Sequence, residues 1–291
     1  MRHLIRREDP IIAASMTGKF GMCSTKPDGR ECGGIQGRKI TNTDTAPSAR
    51  LNERTAMMKT YEFGNPHSGI VLIQPVDDHD LRGIENEFSA MTGMCETDFH
   101  LTAVKAGDWN RDLSPWEAPA LFGKEGFGGG ASETLGEVLG LCGDRSKTYY
   151  IGGYSLAGLF ALWAAYRTDV FSGVAAASPS VWFPGFTEYM KKNEIKTGTV
   201  YLSLGDREEK TRNRVMAAVG DRMREAYALL KDRGVNCILE WNEGNHFKDP
   251  DLRTAKAFAW VLGRKSGRIW NSTEQSRRAL NPVDDRIPAG E

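Results

Sequence analysis

The chain has 291 residues, 40% of them hydrophobic and 9% aromatic, enough to bury one large core or two small ones. Its 38 basic and 38 acidic side chains cancel, and the central residues 59–264 carry 28 acidic against 23 basic groups. That balance excludes a phosphate-backbone partner, which needs clustered Lys and Arg, and no apolar run approaches the ~18 residues of a membrane span.

Residues 1–57 are rich in Gly, Thr, Ser and Arg and show neither a period of two nor of 3.6. They read as an N-terminal extension without an apolar face to bury, and the short apolar stretch 11–16 makes a poor signal peptide. Five cysteines, scattered and odd in number, suggest neither a disulfide framework nor a thiolate metal site, so a reducing cytoplasmic setting is expected. From residue 58 to 264, short β-branched or apolar runs alternate with helical patterns. The runs at 70–74, 99–104, 148–152, 173–177, 199–204 and 236–241 read as strands. Helical patterns follow at 81–91, 131–141, 156–167, 213–231 and 249–262. This alternation predicts an α/β domain with a mostly parallel sheet and helices on both faces. Residues 265–291 lack periodicity and read as a C-terminal tail.

One segment carries chemistry. Tyr149 to Phe160 runs from a strand straight into a helix, with Gly153, Ser155 and Ala157 spaced as in a nucleophile elbow. A serine at such a turn is lifted above the sheet edge, and small residues two before and two after it prevent collision. Ala157 stands where glycine is commoner, which Gly158 partly offsets. The Leu156 amide, at the first turn of the helix, is a candidate oxyanion donor. The structural alternative is a glycine-rich turn whose serine merely caps the helix.

A serine needs a base. Of five histidines only His246 follows the elbow, and it falls between the last strand and the last helix. An acid must orient that imidazole, and the loop after the preceding strand offers three. Glu208, three residues after Gly205, is the first candidate, Asp206 the second and Glu209 the third. A second oxyanion donor is expected from the loop after the first strong strand, at the amide of Val76 or Asp77, since Pro75 has no N–H. The acidic cluster Asp77, Asp78 and Asp80 with His79 could cap the next helix or bind a cation. With no second segment apparent to supply ligands, neither metal nor cofactor is expected.

The segments 152–158, 177–182, 205–208 and 244–247 together resemble the esterase D-like branch of the α/β hydrolases, over about residues 58–262. The resemblance implies an α/β-hydrolase fold without a large lid, and a triad of Ser155, His246 and Glu208 that cleaves a small carboxylic ester. Fewer than 20 residues lie between Ser180 and Thr199, where many hydrolases insert a lid, so an open site is expected. Trp109, Trp116, Trp182 and Phe247 are candidates to line an acyl or aryl pocket, each set against the commoner role of a large aromatic in the core. The rival readings are an acyltransferase or peptidase on the same elbow, or a hydrolase-fold binding module with an idle triad.

Overall fold

The computed structural model describes residues 58–263 apart from Phe122. The expected extension over 1–57 and tail over 265–291 lie outside the described residues. In chain order the elements are β1 (Thr60–Gly64), β2 (Ile70–Val76), α1 (Asp78–Met94), β3 (His100–Lys105), α2 (Trp109–Asp112), β4 (Glu117–Ala118), β5 (Phe127–Gly128), α3 (Ala131–Leu141), β6 (Thr148–Tyr154) and α4 (Ser155–Arg167). They continue as β7 (Phe171–Ala177), α5 (Phe186–Lys192), β8 (Thr199–Gly205), α6 (Arg214–Ala217), α7 (Val219–Asp232), β9 (Asn236–Asn242) and α8 (Pro250–Gly263).

Seven strands form one sheet in the order β1-β3-β2-β6-β7-β8-β9. Only β1 runs antiparallel, pairing with β3 from Thr60↔Val104 to Gly64↔His100; the other pairings are parallel. The parallel strands need helical crossovers, and these cover both faces, which explains why the central strands are apolar on both sides. Residues of β2 and β6 alternate accordingly. Val71, Ile73, Tyr149 and Ile151 join the core beneath α3, α4, α5 and α7. Leu72, Tyr150 and Tyr154 join the one beneath α1 and α8. No helix among the described residues is long and apolar enough to cross a membrane.

Two helices fix the centre of the sheet. In α4 every residue from Leu156 to Tyr166 is buried, and its small residues bring its backbone close to the sheet: a Cβ on Gly158 would lie 2.9 Å from the Gly153 carbonyl oxygen. On the other face α8 presses Phe258 onto Gly152, where a Cβ would lie 2.6 Å from both the Phe258 ring and the Ala175 carbonyl oxygen.

Four expectations are corrected. The sequence reading missed β1, whose half-buried edge position leaves no continuous apolar run. It also missed α2, α5 and the two-residue strands β4 and β5, all too short to show a period. The helix expected over 213–231 is two helices, because the chain turns at Ala218, whose N–H bonds back to Val215 and Met216. The strand expected from residue 99 starts at His100, and the Phe99 carbonyl accepts the Asn65 N–H outside the ladder.

Phe258 is wholly buried. Phe258→Ala is expected to lower the unfolding free energy by about 3–5 kcal/mol, read from urea titration, with the m-value unchanged. A loss under about 1 kcal/mol would contradict the packing described.

Candidate active site

The chain leaves β6 at Tyr154 and enters α4 at Ser155 with no intervening loop. Ser155 takes φ 56°, a left-handed conformation that an L-residue adopts only under tertiary constraint. The turn closes because Gly153 has no side chain: a Cβ there would lie 2.7 Å from the Ala157 Cβ. Ala157 therefore fills space that Gly153 leaves open.

His246 comes from the loop between β9 and α8, and its imidazole is about one-quarter exposed. Its Nε2 lies 3.0 Å from Ser155 Oγ and its Nδ1 lies 2.7 Å from Glu208 Oε2. The three residues expected to form a triad are thus brought together in hydrogen-bond contact. The other two acids of the loop turn elsewhere. Asp206 accepts the Gly244 amide at 2.8 Å and so braces the histidine loop, while Glu209 pairs with Arg224 at 3.2 Å.

Glu208 is buried, so its carboxylate needs partners. Its second oxygen, Oε1, accepts from the Gly205 amide at 2.7 Å, from Ser178 Oγ at 2.8 Å and from Arg253 Nη1 at 3.1 Å. Burial alone would raise this carboxyl; the hydrogen bond and charge of His246, with the Gly205 and Ser178 bonds, outweigh it and hold the group below its usual range.

Arg253, not singled out from the sequence, is the hub of this arrangement. It is 3% exposed. Besides Glu208, its Nη1 donates to Tyr154 Oη at 3.0 Å, and its Nη2 donates to the carbonyls of Glu243 and Asn245 at 3.0 and 3.1 Å. Tyr154 Oη in turn donates to the His246 carbonyl at 2.8 Å; burial pushes that phenol up to about 12, so it stays a donor. One guanidinium thus ties the acid, the histidine loop and the residue before Ser155 into one unit. A signal existed: Arg253 stands on the same stripe of α8 as Ala257, Phe258 and Val261, and an arginine on an apolar face needs a buried partner.

The Leu156 N–H is at the second residue of α4, ahead of the first intrahelical bond. Val76 ends β2 three residues past the last β2–β6 pair, Ile73↔Ile151, just as Tyr154 ends β6. In the acidic loop, read as a helix cap or a cation-binding loop, the Asp77 side chain accepts the amides of His79 and Asp80 and so caps α1. A second left-handed residue, Ser178 at φ 42°, is buried beside Glu208, and the buried Ser180 Oγ lies 3.3 Å from Ser155 Oγ.

Beside these groups lies a cleft of about 260 Å³ bounded by Trp182, Phe247, Met216, Val219, Arg207 and Lys210, with His246 and Glu208 also among its walls. Phe247 is 70% exposed and stands edge-on to the His246 ring at 5.6 Å. Two of the four aromatic candidates lie outside the lining of this cleft. Trp109, packed partly buried against the core, is not among the residues that line this cleft. Trp116 packs against Phe183 and Tyr189 and donates its Nε1–H to the Pro184 carbonyl, a structural role.

Removing one partner of a buried ion pair strands the other. Arg253→Met is expected to cost about 3–5 kcal/mol of unfolding free energy at pH 7. The Glu208 carboxyl is lowered in the folded chain, so its ionised form stabilises above its usual 4.5 and that contribution is lost as pH falls below it. The stability gap between wild type and Glu208→Gln should therefore narrow below pH 4.5; a gap that widens there would contradict the arrangement.

No protein-family model matches the chain, and no curated protein matches it in sequence. Its structure is similar to that of an IroE-like serine hydrolase from Shewanella oneidensis, at 15% identity and a TM-score of 0.55 over 76% of this chain and 81% of that one. It is also similar to the enterobactin esterase FES from Shigella flexneri, at 14% identity and a TM-score of 0.51 over 71% of this chain and 55% of that one. With the sheet order and the layers on both faces, these likenesses identify an α/β-hydrolase fold.

Proposed function

We propose that this chain is a serine hydrolase that cleaves a carboxylic ester through an acyl-enzyme, and that it belongs with the esterase D-like branch of its fold. The observation that carries the reading is the continuous hydrogen-bond line from Ser155 Oγ through His246 to Glu208, at 3.0 and 2.7 Å, with the serine held at φ 56°. The fold likeness to a serine hydrolase and an esterase agrees with it.

In this reading His246 Nε2 takes the Ser155 proton as Oγ attacks the ester carbonyl, and Glu208 stabilises the imidazolium that forms. The amides of Leu156 and Val76 receive the oxyanion. Collapse of the tetrahedral intermediate expels the alcohol, which takes the proton from His246. Water then attacks the acyl-enzyme carbonyl as His246 takes its proton, and collapse of the second tetrahedral intermediate releases the carboxylic acid and returns the proton from His246 to Ser155 Oγ. Trp182 and Phe247 offer apolar faces to an acyl or aryl group, and the cleft is open enough for a substituent to extend into solvent.

A panel of aryl, short-chain and lactone esters, assayed with wild type and Ser155→Ala, tests this. Ser155→Ala is expected to lower kcat by about six orders of magnitude and Glu208→Ala by about four. Ester hydrolysis retained by Ser155→Ala would overturn the reading.

A further inference from the structure

A second cavity, of about 260 Å³, lies between α1 and α8 at the C-terminal end of β2. Gln74, Asp80, Gly83, Glu87 and Asp251 are among its walls. Asp80 and Glu87 stand seven residues apart on α1 and so share a face. Gly83, between them, has no side chain to fill the space; a Cβ there would reach only within 3.6 Å of the Asp251 Cβ. The cluster is therefore wider than the acidic loop legible in the sequence. A strand and a second helix contribute oxygens to it, which removes the reason for expecting no ligand set.

What marks this as a site is its unmet acceptors. Gln74 and Glu87 are 2% and 4% exposed. The Gln74 amide donates to Glu87 Oε2 at 3.3 Å, yet neither Gln74 Oε1 nor Glu87 Oε1 has a hydrogen-bond partner among the described residues. Nearly all buried polar atoms in folded proteins are paired, so two orphaned acceptors on one cavity call for a donor or a positive charge. Among the described residues His79 borders the cavity without bonding either orphaned oxygen. Arg82 also borders the cavity, but its Nη1 donates to the Asp78 carbonyl. Burial first, and then the like charges of Asp80 and Asp251, push the Glu87 carboxyl well above its usual range. Burial and Asp77 likewise raise Asp80 to about 6.

We propose that this cavity binds a small cation, met by the carboxylates of Asp80 and Glu87 and by the amide oxygen of Gln74. The two unmet acceptors and the Asp80 carboxylate are oxygens, the donor set of a hard divalent ion or of a primary ammonium group, and His79 borders the same cavity. Tyr154, the residue before Ser155, forms one wall of the cavity, but the proposal does not depend on the ester chemistry.

Isothermal titration of the full chain with calcium chloride, magnesium chloride and methylammonium chloride, each against sodium chloride at equal ionic strength, tests the proposal. One saturable site is expected, weakened about tenfold or more in Glu87→Gln and in Gln74→Met. Asp78→Asn, whose carboxylate pairs with Lys105 outside the cavity, should bind as wild type does. Saturation by calcium or magnesium identifies a free metal ion as the occupant, and saturation by methylammonium alone identifies the amino group of a small molecule. No saturable heat with any of the three, or undiminished affinity in either cavity variant, overturns the proposal.

Discussion

The Glu208 carboxylate is the constraint on which the site is built. One of its oxygens must be free to face His246, and that requires the other to be saturated from within the protein. Gly205, Ser178 and Arg253 do this from three elements: the end of β8, the turn after β7 and the first turns of α8. The same guanidinium holds the Glu243 and Asn245 carbonyls, so acid and histidine cannot drift apart without breaking a buried charge-assisted network. His246 is positioned by this hub from behind, while its front remains open to the cleft.

A second constraint meets the first at Ser155. The strained backbone there is held by packing on both sides of the sheet: α4 is buried along its length on one face, and Phe258 of α8 lies against Gly152 on the other. α8 therefore serves both halves of the site, carrying Phe258 under the elbow and Arg253 under the acid, five residues apart. Strain at the serine and burial at the acid are sustained by one helix, and this links the stability of the core to the geometry at the surface.

Much of this was legible in the sequence, and the exceptions have physical causes. The parallel strands showed because burial on both faces demands apolar runs, as in β2 and β7. The elbow showed because only small residues fit at 153, 157 and 158, and His246 showed because no other histidine follows the serine. Glu208 could be ranked above Asp206 and Glu209 but not separated from them by composition: what distinguishes it is the direction of its side chain, set by Arg253 some forty-five positions later. β1 stayed hidden because an edge strand needs only a half-buried, alternating pattern. Trp109 and Trp116 could not be told from Trp182 and Phe247 in the sequence because an aromatic side chain reads alike in a core and in a cleft. The convergence of Gln74, Glu87 and Asp251 was invisible because three separate elements build it.

The central claim is that one hydroxyl in this chain is activated by its neighbours. Intact-mass analysis after exposure to a fluorophosphonate, with the modified peptide sequenced, measures that directly. A single adduct on Ser155, absent from Ser155→Ala and formed far more slowly in His246→Ala, is the predicted result. A chain that stays unmodified, or one that takes the adduct on another serine such as Ser180, would contradict the account.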